Sequence, residues 1–244
     1  QLLRKEKRTP AVRALILYPM NALVEDQISR LRAALDSDES LSAMNSYLDG
    51  NRIRFGRYNG STPVSGHPLK ADGKNNTSKK QELSKKITIA CDEYRDYQRQ
   101  LANTKAGLDK ALLENDDIAI KEKKIELDTL TEQQYFIPRM EADSCEMFHR
   151  WEMQDSPPDI LITNVSMLSI MLMRHKDAAL NNDRSDSQIF EATKLWLEED
   201  KENHVFQLVV DELHLYRGAS GTEVGYLLRL LMDRLGLSPN SNQL

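Results

Sequence analysis

An α/β domain, with a parallel sheet, helices on both faces and an inserted antiparallel helical hairpin, is predicted by three features of this 244-residue sequence. Four short apolar runs are continuous rather than alternating, as strands of a sheet covered on both faces are. Three of the four lead quickly into helical periodicity, and strand-then-helix repetition marks a doubly wound sheet. Between the second and third runs lies a long charged stretch with heptad spacing, which fits neither a strand nor a sheet-covering helix.

The runs are residues 14–18, 53–58, 159–163 and 206–211. Helical patterns follow at 22–35 (Leu23, Ile28, Leu31, Leu35), at 165–174, and at 222–235 (Val224, Leu227, Leu228, Leu231, Leu235). Met167, Met171 and Met173 read as core packing. From about residue 78 to 134 the chain has no Pro and a single Gly, Gly107. There Leu83, Ile87, Ala90, Tyr94, Tyr97, Leu101, Thr104, Leu108 and Leu112 form a seam. Asn115-Asp116-Asp117 reads as a turn, and Ile118, Ile125, Leu127 and Leu130 as the returning seam. Residues 64–77 read as a flexible linker. The expected organisation is an α/β domain from 1–63 and 155–244, and an insertion at 64–154 with its hairpin at about 79–135.

A formal net charge of −5 argues against a wholly basic nucleic-acid coat, though not against a local binding stripe. Arg4, Lys5, Lys7, Arg8 and Arg13 read as a solvated helix end. The longest apolar run, near 167–173, is too short to span a bilayer, and no apolar segment follows the basic start. Cys91 and Cys145 are the only cysteines and have no CxxC partner, which points to a reducing compartment and away from zinc. No membrane partner is expected, and the expected location is the cytoplasm.

Ligands of open parallel sheets bind beyond the carboxyl ends of the strands. Beyond the first run stand Pro19-Met20-Asn21, and beyond the second Asn59-Gly60-Ser61-Thr62. Thr163-Asn164 follow the third run, and Asp211-Glu212-Leu213-His214 the fourth. A carboxylate ending a buried strand is held rigidly, so Asp211 could hold Mg²⁺ through water while the metal bridges nucleotide phosphates. Glu212 could orient and deprotonate an attacking water. The bland reading is a soluble strand end. For Asn21 and Asn164 the bland reading is helix N-capping. For Phe148 and Trp151 packing at the hairpin's base outweighs stacking on a base.

The segment VVDELHLYRGASGTEVGYLLRLL resembles motif II of superfamily 2 DExH-box helicases, with Tyr216-Arg217-Gly218 and Gly221-Thr222-Glu223-Val224 following the box. LILYPMNALVEDQ resembles motif Ia and PPDILITNVSML motif Ib. RYNGSTP resembles the Tyr-x-Gly segment after the next strand, and FHRWEMQ a stretch preceding motif Ib in large bacterial relatives. The resemblance implies the first RecA-like domain of an ATP-dependent helicase or translocase, with ATP and Mg²⁺ as cofactors and Asp211, Glu212 and His214 as catalytic residues. It implies nucleic-acid contacts at Asn21, Ala22, Leu23, Gly60, Thr163 and Asn164. The implied partners are DNA, with RNA open, and a second RecA-like domain of the same protein. Large bacterial relatives of this type act in DNA repair and phage defence. Two alternatives stand beside this reading: a nucleic-acid-stimulated remodelling ATPase, and a scaffold whose hairpin recruits a protein. The hairpin is expected to project from the nucleic-acid edge.

No GxxxxGK[ST] loop occurs in the sequence, and motif III is expected just after Leu244. The sequence therefore reads as cut from a larger protein. By itself it is expected not to hydrolyse ATP, and to bind it weakly or not at all by calorimetry.

Overall fold

Strands β1 (Ala14–Tyr18), β2 (Phe55–Tyr58), β3 (Ile160–Asn164) and β4 (Gln207–Val210) form one parallel sheet in the order β2-β3-β1-β4. The structure, a computed structural model, describes residues 8–70, 72–174, 186–238 and 240–244. They divide into two compact units, the described parts of 1–82 with 145–244, and 83–144.

Side chains alternate across the sheet. Leu15, Leu17, Leu161, Leu208 and Val210 face one core, built with α6 (Val165–Met173), α7 (Asp186–Glu199) and α8 (Gly218–Leu235). Ile16, Tyr18, Ile160 and Ile162 face the other, with Phe55, Val24 and Ile28 of α1 (Asn21–Leu35), and Leu41 and Met44 of α2 (Asp38–Tyr47). Helices thus cover both faces, as predicted, in an α/β fold consistent with RecA-like architecture. Met167 and Met171 are core residues, whereas Met173 is exposed.

The strand expected at 53–58 begins at Phe55, because the Arg54 amide donates to Asp159 Oδ2 (2.7 Å) instead of entering a ladder. Asp159 also accepts from Arg8 (3.0 Å) and Arg13 (2.6 Å). These two arginines are therefore not a solvated helix end. Arg4, Lys5 and Lys7 lie outside the described residues.

The outer edge of β2 is covered by the chain returning at 145–147. Phe55 N donates to Cys145 O (3.1 Å), and Met147 N donates to Phe55 O (2.8 Å). Gly56 permits this packing, since a Cβ there would lie 2.6 Å from Met153 Sδ and 3.3 Å from Met147 O. The covering segment is held by a buried pair, Arg32 Nε to Glu146 Oε2 (2.6 Å) and Nη2 to Oε1 (2.9 Å). Asp36 Oδ1 accepts from Cys145 N (2.7 Å).

The second unit is an antiparallel hairpin of α3 (Thr77–Glu114, which begins in the first unit) and α4 (Asp117–Gln133). Asn115, with φ 53°, makes the turn, and Asp116 caps α4 by accepting from Ile118 N and Ala119 N. Ala90, Tyr97, Thr104 and Ala111 are buried at seven-residue intervals. The expected seam member Leu112 is half exposed, because Ala111 takes the inward position. In α4, Ile118 and Ile125 point outward (73% and 59% exposed), and the inner side carries Ile120, Lys123, Leu127 and Leu130. Thr104 donates to Glu126 Oε1 (2.8 Å), and the Lys123 stem lies over Gly107.

No helix among the described residues is long and apolar enough to cross a membrane.

Candidate functional site

Parallel pairing brings the four strand ends to one edge. Tyr18 is in register with Asn164, Leu17 with both Thr163 and Val210, and Tyr58 with Thr163. The Asp211 amide donates to Leu17 O (3.0 Å), which sets Asp211 beside the end of β1. Asn21, Gly60 and Asp211 therefore follow, and Asn164 ends, strands that finish together.

Asn164 joins two helix N-termini. Its Oδ1 accepts from Met167 N (2.7 Å), capping α6, and its Nδ2 donates to Asn21 Oδ1. Asn21 is not a cap: it is the first residue of α1, and the cap position is held by exposed Met20, whose side chain makes no capping bond. A helix start leaves its first amides without intrahelical partners. Those of Asn21, Ala22 and Leu23 consequently sit at the sheet edge with no capping side chain, and Asn21 and Ala22 are exposed. Replacing Asn164 by Ala is expected to cost about 1 kcal/mol in urea unfolding. Asn164→Asp, which keeps the cap acceptor but loses the donor to Asn21, should cost less.

Thr163 is fully buried and its hydroxyl donates to Tyr58 O (2.6 Å). It ties two strand ends together and presents no side chain to solvent. The next loop is folded on itself: Ser61 N donates to Asn59 Oδ1 (2.9 Å), Asn59 N to Thr62 Oγ1 (3.0 Å), and the Thr62 hydroxyl to Arg57 O (2.8 Å). Gly60 is exposed at its tip, where a Cβ would meet nothing within 4 Å. Packing therefore does not require glycine there.

Helix α5 (Arg150–Asp155) clamps this loop from below. Arg150 Nη2 donates to Asn59 O (2.5 Å), Arg150 N to Pro63 O (3.3 Å), and Trp151 Nε1 to Gly66 O (2.8 Å). Val64, buried with φ 54°, is held in the left-handed region that β-branched residues avoid. Trp151 is thus a buried clamp and not a stacking surface. Beneath it, Asp186 accepts from the Tyr58 hydroxyl, Gln154 Nε2 (2.8 Å) and Arg174 Nη1 (2.8 Å). Burial, and then the Asp186 charge, pushes the Tyr58 hydroxyl well above its ordinary pKa. The sequence signal for this clamp was FHRWEMQ itself, a stretch too short for its helical period to show.

The fourth strand end carries the carboxylates. Asp211 is partly exposed, and among the described residues no side chain donates to it. Its charge is felt nearby: burial first, and then Asp211, raises the pKa of both Tyr18 and Tyr216. Glu212 adopts φ 51°, an uncommon conformation for a non-glycine residue, and starts the single helical turn Leu213–Leu215. Its Oε2 lies 3.2 Å from His214 Nδ1, both side chains being partly exposed. No group of three or more His, Cys, Asp or Glu able to hold a metal occurs among the described residues. A divalent ion at Asp211 would need its other ligands from water or from a phosphate ligand. The residues present fit the acidic half of a nucleotide–metal site, and the sequence contains no GxxxxGK[ST] loop to cradle phosphates.

The chain is similar to Druantia protein DruE from Escherichia coli (strain UMEA 4076-1), with 34% identity over 247 residues. The match covers 96% of this chain and 12% of that protein. No family model matches the chain, and no solved structure does.

Proposed function

We propose that this chain is part of the first RecA-like domain of an ATP-dependent helicase or translocase that moves on DNA in the bacterial cytoplasm, in defence against phage. The observation that carries this reading is the shared strand edge, where Asp211-Glu212 follow β4 and the uncapped start of α1 is bonded to Asn164. The similarity to a Druantia protein supports the defence role. DNA repair is the other setting that the motif resemblance allows.

Bound ATP–Mg²⁺ would supply a phosphoanhydride whose hydrolysis drives movement. Asp211 would accept from a metal-bound water, and Glu212 would take the proton of the attacking water. His214, next to Glu212, would hold that carboxylate in place. The amides of Asn21, Ala22 and Leu23 would receive a sugar-phosphate, with Asn164 and the tip at Gly60 along the same path. Thr163 would keep the strand ends in register. The partner completing the motor would be a second RecA-like domain of the same protein.

Gly60→Asp tests the nucleic-acid path. A Cβ at this exposed tip meets no protein atom within 4 Å, so stability should stay within about 0.5 kcal/mol. DNA affinity of the longer protein should fall about 10-fold through repulsion of phosphate. Unchanged affinity would remove the Gly60 loop from the path. The exposed apolar residues of the hairpin, Leu113 (85%) and Ile118 (73%), favour a second reading in which it docks a protein partner.

A further inference from the structure

We propose that Arg150 is a positioning residue for nucleic acid, a buried cation whose charge draws the sugar-phosphate backbone onto the Gly60 loop. Its role rests on the nucleic-acid path proposed for that loop. Arg150 is only 4% exposed. Its guanidinium donates through Nη2 to Asn59 O (2.5 Å) and lies over the Tyr58 ring, 5.1 Å from the centroid. Its Nε is buried without a hydrogen bond, and among the described residues no carboxylate pairs with it.

Burying a guanidinium is costly unless a carboxylate compensates it. Arg32, comparably buried, has Glu146. Arg150 meets the Asp186 charge only through Tyr58, whose hydroxyl donates to Asp186, and Asp186 is itself paired with Arg174 (2.8 Å). Arg150, Arg174 and Asp186 together carry one net positive charge. Fastening the loop does not require that charge, because a neutral amide side chain can also donate to a backbone carbonyl, at a lower desolvation cost. The cation therefore acts on an anion outside the loop that it holds.

The loop suits such an anion. Asn59 is fully buried, and its Nδ2 is a second buried donor without a hydrogen bond. Gly60 and Ser61, the next two residues, are exposed. In a chain of net charge −5, no Asp or Glu occurs from Gly50 to Lys70, a stretch that includes Arg52, Arg54 and Arg57. Glycine at the tip lets a phosphate approach the backbone closely. Away from bulk water the field of a buried cation reaches across such a short distance with less screening. Arg150 thus orients the strand without touching it, and the loop makes the contacts.

The salt dependence of DNA binding separates charge from shape, since each phosphate neutralised on a single strand contributes about 0.7 to the slope of log K against log salt. Binding of a labelled single-stranded thymidine oligonucleotide to the longer native protein is read by fluorescence anisotropy over a series of salt concentrations. Arg150→Met and Arg150→Gln should each weaken binding about 10-fold and make the slope shallower by about 0.7. Arg150→Lys, which keeps the charge and loses the planar fork, should recover the native slope and most of the affinity. Circular dichroism identifies the variants that fold, and one folded neutral variant decides. A native slope in that variant, at whatever affinity, would reduce Arg150 to a clamp and overturn the proposal, as would a slope in Arg150→Lys as shallow as in Arg150→Met. Failure of both neutral variants to fold would assign the charge to the clamp itself and overturn it too. Native protein that binds no DNA would remove the proposed path as well, whereas native binding with an unchanged slope in the neutral variants removes Arg150 alone.

Discussion

Glu212→Gln in the longer protein should leave nucleotide binding intact and lower ATP turnover by ~10²–10⁴-fold, the usual consequence of losing a general base. The amide keeps the shape of the side chain but cannot take the proton of water. The backbone argues that the position is specialised. Glu212 stands at φ 51° two residues beyond Val210, the last residue of the partly exposed strand β4, where glycine or asparagine would be easier to hold. Its carboxylate is partly exposed and close to His214, so it is oriented yet accessible. Asp211→Ala should fail differently, weakening Mg²⁺-dependent nucleotide binding. Near-normal turnover in Glu212→Gln, measured by phosphate release, would take Glu212 out of the mechanism.

Arg32→Met is expected to destabilise the α/β unit by about 3–5 kcal/mol, because it leaves the Glu146 carboxylate buried without its guanidinium. The two side chains are only 10% and 5% exposed, and their bidentate geometry fastens the covering segment to α1. Domains of this size are typically stable by only 5–15 kcal/mol, so the loss is a large share. The double variant Arg32→Met/Glu146→Leu should recover much of it, since neither member of the pair is left as a charge without the other. Urea unfolding reads both. A loss below about 1 kcal/mol in Arg32→Met would mean that Glu146 finds another way to be solvated.

Legibility followed burial. The first strand was readable to the residue, since Ala14–Tyr18 is an apolar run bounded by Arg13 and Pro19. The sheet edge was readable because parallel strands of similar length must end together. Helices α2, α5 and α7 were not anticipated. Helix α7 carries buried Ile189, Phe190, Thr193, Trp196 and Leu197 at helical spacing, but it precedes β4, while the pattern sought placed helices after strands. In the hairpin, the register of the return escaped because its inward residues include Lys123. A lysine that buries its stem and frees its ammonium cannot be recognised by apolar periodicity. The roles of Thr163 and Trp151 escaped for a related reason: each is fixed by a hydrogen bond to a backbone carbonyl far away in sequence.

Steady-state ATP hydrolysis by the longer protein, with and without single-stranded DNA, tests the central claim most directly. The account predicts Mg²⁺-dependent turnover that DNA increases by about 10-fold or more and that Glu212→Gln lowers by ~10²–10⁴-fold. Absence of hydrolysis in both conditions, from protein shown to be folded, would contradict it and leave the chain a scaffold.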